Sequence, residues 1–237
     1  MTRRNLLQYV FIILSAKVIH HTTTDLDKHP ELGNHFEGDI ILTEERNALT
    51  LKTFLWPNGV VPYAFHSNYT DEEKEKVLTA MEGIQDKTCV KFVPHKSETE
   101  YIEFGKVPNM GCAAMVGLRP GRGAPMVVNY QAPECLQEAG TIQHELLHVL
   151  GLFHEQTRTD RDEYSLMHYP KTAFSKNGKN TIIAKDDPSL KLGQYEGPTE
   201  GDLEKVRRLY NCKSSESKTS KSGIFKRLFT NTKKDKQ

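Results

Sequence analysis

No stretch of this sequence is long and apolar enough to cross a membrane. A spanning helix needs about 20 consecutive apolar residues, whereas the apolar run over residues 6–16 is shorter and contains a glutamine. Two arginines precede this run and a polar stretch follows it, which is typical of a signal peptide. We predict a signal peptide over residues 1–20, secretion to the extracellular space and no stable membrane insertion. The alternative is a buried N-terminal helix.

A large excess of charge of either sign is also absent, because 32 Lys+Arg stand against 31 Asp+Glu in 237 residues. Acidic residues slightly outnumber basic ones over 47–212, whereas the positive charge is concentrated in 213–237. A domain that binds nucleic acid would carry positive charge on its folded part, so we expect no nucleic-acid partner. The basic tail is predicted to be disordered. A short amphipathic turn that touches an anionic surface is the alternative.

Cysteine is scarce, and its four positions do not match the spacing of a structural zinc site with four thiolates. An even number suits two disulfides formed in an oxidising compartment. Four free thiols would instead indicate an intracellular metalloprotein. Four cysteines allow three pairings, and the sequence alone does not choose among them. The sequon that begins at Asn68 predicts N-glycosylation if the chain is secreted.

The sequence contains no internal repeat and no sign of a second globular domain. Its hydrophobic content of 37% allows one core, or two lobes that share a cleft. Apolar spacing and turn residues predict a small sheet packed on helices, an α+β fold. Pro62 favours an edge position for the first strand. The predicted helices cover about 71–85, about 141–150 and a stretch from about 199, and the predicted strands cover 59–65, 89–93, 101–104 and 125–129.

One motif carries the chemistry. His144 and His148 are four residues apart, so on a helix both imidazoles reach one zinc ion, with Glu145 beside it as a base. Gly151 permits the positive-φ turn that brings His154 to the metal. Three histidines and a water make a catalytic set, so we predict one Zn²⁺ per chain. An amphipathic core helix with incidental histidines is the alternative, but this combination rarely arises by chance.

This pattern resembles the metzincin peptidases, and Glu155 directly after the third histidine resembles the astacin family among them. The resemblance implies a metzincin-like two-lobed zinc peptidase, with a small twisted sheet and an active-site helix above the cleft and a C-terminal helix in the lower lobe. Other stretches that look like family positions are Phe36-Glu37-Gly38-Asp39, Trp56-Pro57, Val61-Pro62-Tyr63, Gly111-Cys112, Gly140-Thr141-Ile142 and Ser165-Leu166-Met167-His168-Tyr169.

The resemblance further implies a zinc metalloendopeptidase that is made as a zymogen. Asp39, in a pro-segment over residues 21–46, would bind the zinc in place of water. An activating protease would cut between Arg46 and Asn47 and release a catalytic domain over 47–212, and the new ammonium at Asn47 would pair with Glu155. A solvated aspartate in a turn is the alternative for Asp39.

In the active enzyme, the resemblance makes Glu145 the general base and Tyr169 an extra metal ligand that swings away to stabilise the oxyanion. Met167 would lie under the metal. A packed aromatic side chain is the alternative for Tyr169. The implied disulfides are Cys89–Cys212 and Cys112–Cys135, and the implied partners are a peptide or protein substrate, with the enzyme a monomer.

The chain departs from the family between His154 and Met167. Only twelve residues separate them, whereas the family has a much longer excursion there, so the lower lobe is reduced. Thirteen steps of about 3.3 Å still allow the chain to return beneath the metal. The chain is therefore either a compact variant or a truncated, inactive isoform. A secreted zinc-binding protein without peptidase activity is the alternative function.

Overall fold

The computed structural model describes residues 33–42, 51–131 and 133–213. The predicted signal peptide, the predicted cleavage between Arg46 and Asn47, and the tail beyond residue 213 lie outside the described residues. Within the described part, no helix is long and apolar enough to span a membrane.

A five-stranded sheet forms the framework. Its strands in spatial order are β2, β1, β3, β5 and β4, and all neighbours are parallel except β4 and β5. The short edge strand β4 was not predicted, because three small residues give no alternating pattern. The strands are β1 (Val60–Phe65), β2 (Lys91–Pro94), β3 (Ile102–Gly105), β4 (Cys112–Ala114) and β5 (Met126–Tyr130).

The prediction that β1 is an edge strand is wrong, because it lies between β2 and β3. The carbonyl of Tyr63 accepts a hydrogen bond from His95 on the β2 side, so the nitrogen of the preceding residue, Pro62, faces β3. Pairing with β3 begins only at Tyr63, opposite Ile102. The missing N–H of Pro62 therefore leaves no hydrogen bond of the sheet unmade.

Three helices complete the framework: α1 (Asp71–Gln85), α2 (Ala139–Val149) and α3 (Glu200–Leu209). Capping boxes start α1 and α3, where Thr70 pairs with Glu73 and Thr199 pairs with Asp202. Helix α2 is buried over nearly its whole length, so its neighbours surround it on every side. The fold is thus α+β, as predicted.

Two disulfides attach the helices to the sheet. Cys89 is bonded to Cys212 and Cys112 to Cys135, with Cα separations of 5.3 and 5.5 Å. This is the pairing that the family resemblance implies. The first bond ties the end of α3 to the segment that follows α1, and the second ties β4 to the turn that precedes α2.

The segment over residues 155–199 contains no strand and no helix longer than one short 3-10 turn, Glu155–Thr157. One close backbone approach holds it against the rest of the molecule. A Cβ at Gly140, near the start of α2, would lie 1.9 Å from the carbonyl oxygen of Tyr195. Only glycine permits this contact, which places the reduced lower lobe against α2. A second close approach, between Gly193 and Pro170, folds the segment on itself.

Candidate metal centre and active site

Helix α2 carries two of the predicted ligands on one face. His144 and His148 are four residues apart and only 4% and 0% exposed. The hydroxyl of Tyr130, on β5, donates to the carbonyl of Ile142 at 2.7 Å and fixes the helix against the sheet. The sheet thus sets the position from which both imidazoles project.

The end of α2 delivers the third ligand. Gly151 has φ of 101°, its N–H donates to the carbonyl of His148 at 2.8 Å, and the N–H of Leu152 donates to that of Leu147 at 3.0 Å. This pair of bonds is a Schellman motif, which requires the left-handed residue that glycine supplies. The chain then turns back to bury His154 completely.

Two aromatic side chains donate hydrogen bonds to the carbonyl groups at the end of α2. The indole N–H of Trp56 donates to the carbonyl of Val149 at 2.9 Å, and the hydroxyl of Tyr210 donates to that of Leu150 at 3.2 Å. Carbonyls at a helix end have no partner within the helix. These donors therefore fix the backbone from which the turn toward His154 starts, a role that the sequence pattern did not predict.

Backbone carbonyls set the proton positions on the first two histidines. Nδ1 of His144 lies 3.0 Å from the carbonyl oxygen of Leu166, and Nδ1 of His148 lies 2.7 Å from that of Leu152. A carbonyl only accepts, so each Nδ1 must carry the proton. Each Nε2 then presents a lone pair to the metal position, which is the usual orientation of histidine ligands.

A carboxylate completes the ligand set. Oδ2 of Asp39 lies 3.1 Å from Nε2 of His144 and 3.2 Å from Nε2 of His154, and its Oδ1 lies 3.6 Å from Nε2 of His148. Nε2 of His144 and of His154 are themselves 3.3 Å apart. Ligands at about 2.0–2.1 Å from a tetrahedral zinc are separated by about 3.4 Å, so the four side chains fit one zinc ion.

The electrostatics of this cluster also favour a cation. Burial alone would raise the pKa of Asp39, but the charge of His154 and the contacts with His144 and His148 hold it well below its usual range. Burial lowers the pKa of His148 to about 4, which keeps this histidine in the neutral, metal-binding form. Oδ1 of Asp39 and Nε2 of His148 are buried without a hydrogen-bond partner. A zinc ion held by these side chains would satisfy both atoms.

Glu37, which sequence reasoning missed, is a second carboxylate at the site. Its Oε2 lies 3.0 Å from Nδ1 of His154. Burial would lower the pKa of His154, but Asp39 and Glu37 outweigh it and raise that pKa to about 9. The same negative field favours a metal cation at this position. Glu37 and Gly38 both have positive φ, and this turn brings both carboxylates to the histidines.

Tyr169 lies beside the third histidine, with ring centroids 4.5 Å apart. Its hydroxyl donates to the carbonyl of Glu37. The backbone N–H of Glu155 donates to the carbonyl of Met167 at 2.8 Å, so the turn that contains Met167 runs alongside the loop that carries His154. Met167 is fully buried, and so is Glu145 on the zinc helix.

The short connection between His154 and Met167 contains one 3-10 turn, Glu155–Thr157, and no strand. Glu155, its first residue, holds it together: the side chain accepts from the N–H of Asp162 at 2.9 Å and lies 2.8 Å from Nζ of Lys205. The predicted partner of Glu155, the amino terminus at Asn47, lies outside the described residues. Lys205 was not predicted, because nothing in the sequence links α3 to the residue that follows the third ligand.

Comparison with known proteins agrees with this geometry. The sequence model of the Astacin peptidase family matches residues 48–165 and 163–211. The two matches meet in the short connection, where the sequence lacks the excursion. The low choriolytic enzyme of Oryzias latipes is 35% identical over 216 residues, which cover 74% of this chain and 78% of that protein. The zinc metalloproteinase nas-4 of Caenorhabditis elegans is 33% identical over 228 residues, 77% and 71% of the two chains.

A solved structure is also similar. The high choriolytic enzyme 1 of Oryzias latipes, a hatching enzyme zinc-protease, superposes with a TM-score of 0.63 and 27% identity. The match covers 74% of this chain and 100% of that chain.

Proposed function

The chain belongs to the astacin family of zinc metalloendopeptidases, and we propose that it is secreted as a latent precursor and uses Glu145 as its general base. The observation that carries the proposal is the cluster of His144, His148, His154 and Asp39, whose ligand atoms lie within 4.8 Å of one another. Three histidines from the catalytic domain and one carboxylate from the pro-segment are the ligands expected of a blocked catalytic site.

In the active form, His144, His148 and His154 would hold the zinc, and the removal of Asp39 would make room for a water molecule. Bound zinc lowers the pKa of water toward about 7. Glu145 follows the first ligand on α2 and is buried, which suits a base that accepts a proton in a dry site. It would take the proton of the water that attacks the peptide carbonyl and pass it to the leaving amine.

Latency would result from the segment around Asp39, which covers the site in two ways. Its carboxylate lies against the three histidines, where the reacting water would bind, and its backbone pairs with the edge strand β4. The N–H of Ile41 donates to Ala114 at 2.8 Å, and the N–H of Ala114 donates to Asp39 at 3.0 Å. An extended peptide that pairs with β4 must displace this segment. Cleavage between Arg46 and Asn47 by an activating protease would release it.

Tyr169 would change its role on activation. In the precursor its hydroxyl donates to the carbonyl of Glu37, which belongs to the segment that is removed. Once free, the hydroxyl can hydrogen-bond the oxyanion that forms on the substrate. A donor at such a position typically contributes about 3 kcal/mol to the transition state.

Secretion is supported by the two disulfides, because such bonds persist in oxidising compartments. Asn68 is exposed in the turn between β1 and α1, so its sequon is accessible for glycosylation. The substrate is a peptide or protein, and we expect the enzyme to act as a monomer.

The test is metal content and peptide cleavage on one preparation, cut after Arg46 and compared with Glu145→Ala. One zinc per chain in both proteins, with cleavage in the unsubstituted protein alone, is the expected result. Glu103→Ala, a partly exposed position on β3, is a matched control that should retain full activity. Equal cleavage by the Glu145→Ala protein would refute the proposed mechanism.

The second candidate is a secreted zinc-binding protein without peptidase activity. The short connection between His154 and Met167 favours it, because part of the lower cleft wall is absent there. Zinc binding with no cleavage of a varied peptide mixture by the cut protein would support this candidate.

A further inference from the structure

Lys205 lies between two buried carboxylates. Its Nζ is 2.8 Å from Oε2 of Glu155 and 3.9 Å from Oδ1 of Asp202, and the two carboxylate side chains are 3% and 0% exposed. The guanidinium of Arg158 is farther from Glu155, at 3.8 Å, and its side chain is half exposed. Lys205 is therefore the closest cation to Glu155 among the described residues.

Both carboxylates belong to or contact the segments that lie beside the histidines, residues 154–155 and 165–167, which we call the floor of the metal centre. Glu155 directly follows the third ligand, His154. Asp202 accepts from the hydroxyl of Ser165 at 2.5 Å and from the N–H of Leu166 at 2.9 Å. The carbonyl of Leu166 in turn accepts from Nδ1 of His144. Lys205 thus connects helix α3 to the segments that orient two of the three histidines.

A buried carboxylate that loses its cation is strongly destabilising. Glu155 needs a positive partner in the precursor, where no new amino terminus exists, and Lys205 already supplies one. We infer that Lys205 is a positioning residue, the internal counter-ion of Glu155, and that it keeps the floor of the metal centre assembled both before and after cleavage. This inference rests on the proposed function and deepens it.

The role of Lys205 decides whether activation requires a free amino terminus at Asn47. If Lys205 neutralises Glu155, an ammonium at Asn47 is not required, and removal of the segment that carries Asp39 suffices. A chain cut a few residues away from Asn47 should then be as active as one cut after Arg46. If the amino terminus is instead the true partner, activity should depend sharply on the cleavage position.

The first measurement uses the uncut precursor and needs no catalysis. Zinc release to a chromogenic chelator is followed for the unsubstituted protein and for Lys205→Met, with folding checked by circular dichroism. We expect Lys205→Met to release zinc about tenfold faster or more. Lys205→Arg should restore slow release, and so should Lys205→Met combined with Glu155→Gln, which removes the unpaired charge. Arg208→Met, an exposed position on the same helix, is the matched control. Unchanged release from Lys205→Met would overturn the inference.

The second measurement uses cut protein with its amino terminus at Asn47 or four residues earlier, at Thr43. We expect kcat/KM to differ by less than about twofold between the two forms, and Lys205→Met to lower it in both. A large loss on extension, with little effect of Lys205→Met, would assign the role to the amino terminus. Failure of the proposed function is recognised separately. In that case Glu145→Ala does not change cleavage, whereas zinc release can still be measured and still tests the role of Lys205.

Discussion

We call the contact of Asp39 with the three histidines the latch. If this contact keeps the precursor inactive, Asp39→Asn should make the uncut precursor active. Asp39 contacts Nε2 of His144 and of His154 at 3.1 and 3.2 Å and is fully buried. Asp39→Asn removes the negative charge that faces the cation held by the histidines. Breaking a buried charge pair costs about 3–5 kcal/mol, which corresponds to an increase of about 10² to 10⁴ in the population with the site open.

The assay is cleavage of a quenched fluorescent peptide by the precursor. Arg46→Gln is included in every protein that is assayed uncut, so that processed enzyme does not contribute to the signal. We expect Asp39→Asn to raise the activity of the uncut chain by at least about a hundredfold. In protein that retains Arg46 and has been cut, the same substitution should have no effect, because the segment is gone. An uncut Asp39→Asn protein that binds zinc but stays as inactive as its parent would refute the latch.

Three further predictions follow from contacts around the site. Glu37→Gln should replace a charge-assisted bond with a neutral one and raise the activity of the uncut chain about tenfold, which is less than Asp39→Asn; an equal or larger rise would contradict the ranking. Trp56→Phe should leave the carbonyl of Val149 without its donor and lower the free energy of unfolding by about 1–3 kcal/mol, measured by urea denaturation with circular dichroism; unchanged stability would show that this carbonyl finds another partner. Replacing Cys112 and Cys135 by alanine should cost about 3 kcal/mol in the same assay, because the bond closes a loop of 23 residues; a loss below about 1 kcal/mol would mean that the reduced chain already holds β4 near α2.

The clustering of the three histidines was predictable because the motif encodes its own geometry. Residues four apart on a helix share a face, and Gly151 is the residue that a left-handed helix end requires. The helices were predictable too, since capping boxes at Thr70 and Thr199 mark their starts. The order of the strands was not predictable. Pro62 led to the wrong position for β1, because the sequence does not show that β3 begins to pair only at the next residue, Tyr63.

The sequence by itself determined the candidate chemistry of this protein: which side chains are available to bind zinc, which one we propose as the base, and which cysteines were available to form disulfides. These features depend on residue type and on short, regular spacing along the chain. Only the tertiary structure decided that Glu37 joins Asp39 at the histidines, that Trp56 donates to the carbonyl at the end of α2, and that Lys205 lies beside Glu155. Each of these contacts joins segments that are far apart in the sequence, and local spacing carries no information about which distant side chains meet in a packed core.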